Sequence, residues 1–250
     1  MDFFKQTFTA ESLQEGQLIL IDKPLGWTSF QVVNKIRWHL KKQYALKKLK
    51  VGHAGTLDPL ATGLLLICTG KKTKSIERYQ NQEKEYTGTF LLGATTPSYD
   101  LETAPDQSFP IDHITAQQIE ETAQQFTGEI EQYPPLFSAL KKDGKRLYEY
   151  AREGLYPEVK SRQVLISEFT IQKISLPEVH FLVRCSKGTY IRSLVHDFGK
   201  ALDSGAHLSA LRRTKIGTFE VENSFTMESV YDENSPKNIS LKLKLQWKTI

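Results

Sequence analysis

The stretch "VGHAGTLDPLATG", Val51 to Gly63, places one histidine, His53, and one carboxylate, Asp58, among glycines. Either Asp58 is a turn residue that happens to be acidic, or the loop exists to present a fixed, ionised carboxylate that can act as a nucleophile. Gly52 and Gly55 permit tight turns and close approach of a ligand. Pro59 biases Asp58 towards an extended backbone, so the carboxylate sits on a stiffened segment. On these residues alone, however, an aspartate in a turn is more often an Asx-turn or capping residue than a catalyst. Simpler site chemistries fail on spacing. "CTGKKT" is not a phosphate loop, because the G-x-x-x-x-G-K-[ST] pattern requires glycine where Leu65 stands and Ser or Thr where Lys72 stands. A phosphatase-type aspartate has a second carboxylate two residues on, and Leu60 occupies that position. The six histidines are scattered, and His53 with Asp58 is a poor metal site, so the expected chemistry uses no metal.

Charge is segregated around this loop. From Asp22 to Lys74 eleven Lys/Arg face two acids; from Tyr86 to Leu140 there are eight acids and no Lys or Arg; from Arg184 to Lys215 seven basic residues face two acids. Two basic blocks separated by an acidic one suit a polarised molecule with a polyanion-binding face. The plainer reading of "KKQYALKKLK" is a solvated helix end and loop. No apolar run approaches the ~20 residues of a membrane span, and the N-terminus lacks the basic-then-apolar order of a signal peptide. Cys68 and Cys185 each lie in an apolar stretch and read as buried free thiols, which makes a cytoplasmic protein the expectation.

Several elements must position these groups. "QLILIDKP" (17–24) reads as a strand closed by proline. Thr28 or Ser29 caps a helix with Phe30, Val33, Ile36 or the stem of Arg37, and Leu40 on one face. "LLLIC" (64–68) is a short buried strand, and "YTGTFLLG" (86–93) alternates like a half-buried one. Thr115 and Gln118 form a capping box before Ile119, Ala123 and Phe126, and Gly128 stops that helix. Val179, Phe181, Val183 and Cys185 share one strand face; Ile191, Leu194, Val195, Phe198 and Leu202 share one helix face, ending near Gly205. The absence of a regular βαβ rhythm predicts an α+β fold with a mixed, largely antiparallel sheet and flanking helices. The polar loop 100–113 and the aromatic–basic stretch 131–162 fit neither period.

"GHAGTLDPLATGLLLICTGKKTK" closely resembles the nucleophile motif of the pseudouridine synthases of the TruB type, which convert uridine 55 in the T-arm of tRNA. "LILIDKPLGWTSF", "KEYTGTFLLGATT", "YPPLFSALKKDGKRLYEYAREG", "RCSKGTYIRSLVHDFGKAL" and "GAHLSALRRTKIGTF" are similar to the same family in the same order, from about Leu18 to Phe219. The resemblance implies the pseudouridine synthase catalytic fold and a cofactor-free isomerisation. Asp58 is then the nucleophile, attacking C1′ of the ribose or C6 of the uracil. Tyr86 packs on the target base and transfers a proton, and Arg192 pairs with the catalytic aspartate. Tyr190 and Leu211 line the uracil pocket, and His53 enters the space vacated by the flipped base. Lys23, Lys74 and Asp100 match polar positions around the site. Lys141, Lys142, Lys145, Arg146 and Arg152 would meet phosphates of the T-arm stem-loop, giving affinity rather than sequence reading.

The expected organisation is an N-terminal extension (1–16), a catalytic domain (17–220) with an RNA-closing insertion (131–162), and a short tail (221–250) too small for the RNA-binding PUA domain that many family members carry. A monomer acting on tRNA, with no membrane and no obligate protein partner, follows. The rival expectation is an RNA-binding or RNA-folding module without activity, against which the presence of Asp58, Tyr86 and Arg192 counts. A metal-dependent hydrolase is disfavoured by the lack of a carboxylate cluster.

Overall fold

The computed structural model describes residues 8–231. The described residues form two compact units, one of residues up to 84 together with those from 212 on, the other of residues 85–211. In the first unit, Leu18–Lys23 pairs antiparallel with Ala61–Thr69, in a register running from Leu18 opposite Cys68 to Lys23 opposite Gly63. Its other edge takes Phe225–Thr226 in parallel, with Ile21 opposite Phe225. Val51–Ala54 pairs antiparallel with the end of Ala61–Thr69. The strands are nearly continuous apolar runs because both faces are covered, and the period of two divides them. Ile19, Ile21, Leu65 and Ile67 pack into one core with Leu13, Phe225 and the helix Ser29–Gln43, whereas Leu20, Leu64 and Leu66 pack into another with Ile216 and Val221.

The Ser29–Gln43 helix starts at Thr28, whose side chain accepts from the Gln31 backbone in a reciprocal capping box. Its buried stripe is Val32, Val33, Ile36 and Leu40. Phe30, expected on that face, is instead 64% exposed. The stripe is centred on the 32/33/36/40 row, and at 100° per residue position 30 falls beside it rather than on it. Within the first sixteen residues, Ala10–Glu15 is a helix with its own capping box. It buries Leu13 in the first core, and the Thr69 hydroxyl donates to the Leu13 carbonyl at 2.9 Å. Residues 221–231 hold a 3-10 turn, the Phe225–Thr226 strand and the helix Met227–Tyr231; the rest of the expected tail lies outside the described residues.

In the second unit, Arg162–Ser175 pairs antiparallel with Glu178–Cys185 on one side and Gly128–Gln132 on the other. Glu178–Cys185 is followed in the sheet by the strand from Lys84 to Leu92, and that by Ala206–Ile216. Val179, Phe181, Val183 and Cys185 are all buried, as their alternation predicts. Phe90, Phe181, Phe169, Phe126 and Phe198 form a ring cluster with centroids 5.1–6.0 Å apart, beneath the helices Ala116–Gln125 and Ile191–Ala201. The second helix is enclosed on more than its apolar face, since Arg192, Ser193 and His196 are buried with Leu194, Val195 and Phe198. The 131–162 stretch contains a tight hairpin, Lys141–Lys142 against Lys145–Arg146, and the short helix Leu147–Arg152. Asp143 and Gly144 both take positive φ, the geometry of a two-residue type I′ turn. The fold is α+β, a mixed and largely antiparallel sheet with flanking helices.

Candidate active site

Asp58 lies in the six-residue connection between Val51–Ala54 and Ala61–Thr69, and its carbonyl accepts from Ala61 at 3.1 Å. The connection is tied from several directions. Arg213, almost wholly buried, donates from Nε to the Leu64 carbonyl at 2.7 Å and from Nη2 to the Gly55 carbonyl at 3.0 Å. Ser29, freed by Thr28's taking the cap, accepts from the Leu57 amide at 2.9 Å while its hydroxyl lies 3.1 Å from the Leu57 carbonyl. The Pro59 carbonyl accepts from the Gly26 amide at 2.9 Å and from Lys23 Nζ at 3.3 Å. Gly63 has φ 101°, and a Cβ there would meet the Arg213 carbonyl at 2.3 Å, so the strand carrying Arg213 can approach only a glycine. The backbone around Asp58 is over-determined, which is what a reacting group placed within a fraction of an ångström requires.

Lys23 is fully buried at the end of its strand. Its ammonium donates to the carbonyls of Trp27 at 2.6 Å, Pro24 at 3.0 Å and Pro59, so its three protons have three acceptors. Burial pushes its pKa down to about 8, partly opposed by the Asp58 carboxylate and reinforced by Arg213. The first unit thus brings together Lys23, Asp58 and Arg213. His53 occupies the strand leading into the loop; burial first, and Arg213 second, lower its pKa, and its Nδ1 is buried without a hydrogen-bond partner. A neutral imidazole with an apolar face is suited to stacking and filling space. Lys74 is exposed on the 3-10 turn Gly70–Ser75.

The second unit holds the other expected residues. Arg192, in the first turn of its helix, donates from Nη1 to the Ser98 carbonyl at 3.0 Å and from Nη2 to the Phe137 carbonyl at 2.9 Å. Its Nε lies 3.6 Å from Oδ2 of Asp100, and both side chains are buried. Asp100 is itself fixed by the Glu102 amide at 2.9 Å. Tyr86 is buried on the Lys84–Leu92 strand and Leu211 on Ala206–Ile216. Tyr190 is half-buried, its backbone clamped at both ends by the Gln132 amide and its ring covered by the Arg162 guanidinium at 4.5 Å. Lys141 and Arg146 are exposed on the hairpin, and Lys142 donates to the Glu158 carbonyl at 2.6 Å.

Sequence reasoning missed Arg213 and Ser29 as loop anchors. Arg213 shares strand parity with Leu211, the signal that it points inward. Ser29 carried no such signal, because either Thr28 or Ser29 satisfied the capping pattern.

Comparison with known proteins identifies the family. Residues 41–191 match the N-terminal domain of the TruB family of pseudouridylate synthases, and residues 192–242 match the C-terminal domain of tRNA pseudouridylate synthase B. A protein of Flavobacterium johnsoniae named tRNA pseudouridine synthase B is 61% identical over 227 residues, 90% of this chain and 99% of that one. One of the same name from Chloroherpeton thalassium is 51% identical, over 88% of this chain and 90% of that one. Among solved structures, a chain of a Cbf5–Nop10–Gar1 complex superposes with a TM-score of 0.65 at 32% identity, over 87% of this chain and 54% of that one. A chain of an H/ACA RNP bound to a substrate RNA containing 2′-deoxyuridine gives 0.62 at 29% identity, over 90% of this chain and 56% of that one. This protein therefore spans about half the length of those two solved chains. With family domains matched across most of its sequence and relatives at half identity or better over nearly their whole length, the chain belongs to the TruB family of pseudouridine synthases and is an isomerase.

Proposed function

We propose that the chain converts uridine 55 in the T-arm loop of tRNA to pseudouridine, with Asp58 as nucleophile. The observation that carries this reading is the immobilised loop: Arg213, Lys23, Ser29 and Gly26 fix the backbone on both sides of one partly exposed carboxylate. The isomerisation breaks the N1–C1′ bond, forms C5–C1′, moves the C5 proton away and leaves N1 protonated. No electron or group leaves the nucleotide, so neither redox nor group-transfer cofactor is needed. A carboxylate attacking C1′ or C6 must be ionised and aimed; Arg192 is assigned the charge that keeps it so. Tyr86 is assigned the base-packing and proton-transferring role, Tyr190 and Leu211 the walls of the uracil pocket, and Lys74 and Asp100 the polar surround. His53, held neutral, replaces the target base in its stack once the uridine flips out. Lys141, Lys142 and Arg146 meet phosphates of the T-arm, and the protein acts as a cytoplasmic monomer.

The test compares wild type with Asp58→Asn on an unmodified tRNA transcript in the presence of a chelator, counting pseudouridine by nucleoside mass spectrometry. One pseudouridine per tRNA, in the T-loop, is expected from wild type, and none from the variant at comparable RNA affinity. Equal product from Asp58→Asn would overturn the assignment. RNA binding by wild type with no product would favour the binding module instead.

A further inference from the structure

The outer face of the Ser29–Gln43 helix is not accounted for by the nucleophile loop. Trp38 projects from it 55% exposed. Lys35 and Lys42, one turn to either side, hold their ammonium groups 5.4 Å and 5.2 Å from the Trp38 ring centroid. The ring separates two open grooves. One, of about 490 Å³, runs past Gln31, Asn34 and Lys35 to Gly26 and Trp27; the other, of about 440 Å³, is lined by Arg37, Lys41, Lys42 and Leu46. From Lys23 to Leu57 the sequence contains no acidic residue. The face therefore carries one aromatic ring, two ammonium groups over it that a stacking base would displace towards its own phosphates, and no negative charge from its own segment.

We propose that this face is a second RNA-binding surface, on which Trp38 stacks an unpaired base while Lys35 and Lys42 contact the flanking phosphates. Aromatic planes interleaved with lysines are how proteins hold single-stranded nucleic acid without reading its sequence. The helix also gives the surface a direction. Ser29, its first residue, clamps Leu57 beside the nucleophile; Trp38 lies nine residues further on, about 14 Å along the axis. An RNA strand leaving the Asp58 loop along this helix reaches Trp38 after two or three nucleotides' length. The surface adds affinity and not chemistry, and it rests on the reading of the chain as an enzyme of RNA.

Affinity is measured by filter binding to an unmodified full-length tRNA transcript, and kcat at saturating RNA by pseudouridine formed in the transcript, counted by nucleoside mass spectrometry, for wild type, Trp38→Phe, Trp38→Leu and the Lys35→Ala/Lys42→Ala pair. Trp38→Leu should raise Kd about ten-fold with kcat unchanged, and Trp38→Phe should keep most of the affinity, since only a π face is required. The lysine pair should weaken binding and reduce the slope of log Kd against log salt by about two. An unchanged Kd in all variants, or retention of affinity by Trp38→Leu, would overturn the proposal; the latter would point to an apolar protein partner. All positions are on the helix surface, so thermal melts should superpose. Wild type that binds tRNA through this face but makes no pseudouridine would sink the functional reading and leave this surface standing.

Discussion

Two cationic regions of the molecule use the same side chains in opposite ways. Around Asp58, Lys23 and Arg213 are buried and give their protons to main-chain carbonyls of Pro24, Trp27, Pro59, Gly55 and Leu64. On the 141–146 hairpin, Lys145 pairs with the Glu153 carboxylate, and Lys142 meets a carbonyl in an exposed setting. A buried cation cannot leave its carbonyls without stranding them, at about 1–3 kcal/mol for each group. An exposed lysine–carboxylate pair is worth about 0–1 kcal/mol and can exchange its carboxylate for a phosphate almost freely. Buried cations therefore set geometry, and exposed ones, in the role proposed for the hairpin, would supply affinity that salt can tune.

The sharpest way to break this contrast is Arg213→Met, which fills the volume but leaves the Gly55 and Leu64 carbonyls without their donor. It should lower stability by about 3 kcal/mol in a denaturant melt and strongly reduce turnover. A melt like that of wild type would show that the loop is held without Arg213. Lys23→Met should lower kcat by about ten- to a hundred-fold while leaving RNA affinity near wild type. It should also change the pH profile. With its pKa near 8, Lys23 loses a proton as pH rises through 8, and two N–H groups then face three acceptors. Wild-type activity should therefore fall above about pH 8, and the residual activity of Lys23→Met should not. The unfolded chain keeps that proton up to the ordinary lysine value of 10.5, so this group's contribution to stability rises with pH between 8 and 10.5. Lost activity in that window is thus not Lys23-driven unfolding, and a wild-type profile flat to pH 9.5 would remove its role. The smallest effect belongs to the hairpin: Lys141→Ala/Lys142→Ala/Arg146→Ala should reduce the salt dependence of RNA binding by a slope of about two to three, with kcat and melting unchanged. A fall in kcat at saturating RNA would give the hairpin a catalytic share and erase the contrast.

Much of the fold was legible because period decides faces. Val179, Phe181, Val183 and Cys185 alternate cleanly, and Thr115 with Gln118 marks its helix start. Phe30 misled because its spacing to Val33 and Leu40 fits one helix face, whereas the buried stripe is turned towards Val32 and Ile36 and leaves position 30 beside it. The site was legible in a different degree. Asp58 stood out as a lone acid in a basic segment, yet local physics favoured a turn residue; only the ordered run of motifs pointed to chemistry. Composition gives no sign that Lys23 or Arg213 is buried, and for Arg213 the one hint is its strand parity with Leu211. Burying them depends on carbonyls brought close by the pairing of strands distant in sequence, as Arg213 with Leu64 shows, and no local pattern encodes that.

The parallel pairing of Phe225–Thr226 with Leu18–Lys23 has a practical side for anyone handling the protein. A protease nick or a stop codon ahead of Phe225 would bare the edge of the strand that ends in Lys23, and unpaired edges recruit other chains. Samples trimmed there should lose turnover and precipitate together, well before the segment beyond 231 is called into question. An affinity handle placed after that segment leaves the edge covered, whereas one replacing residues from 221 onward does not.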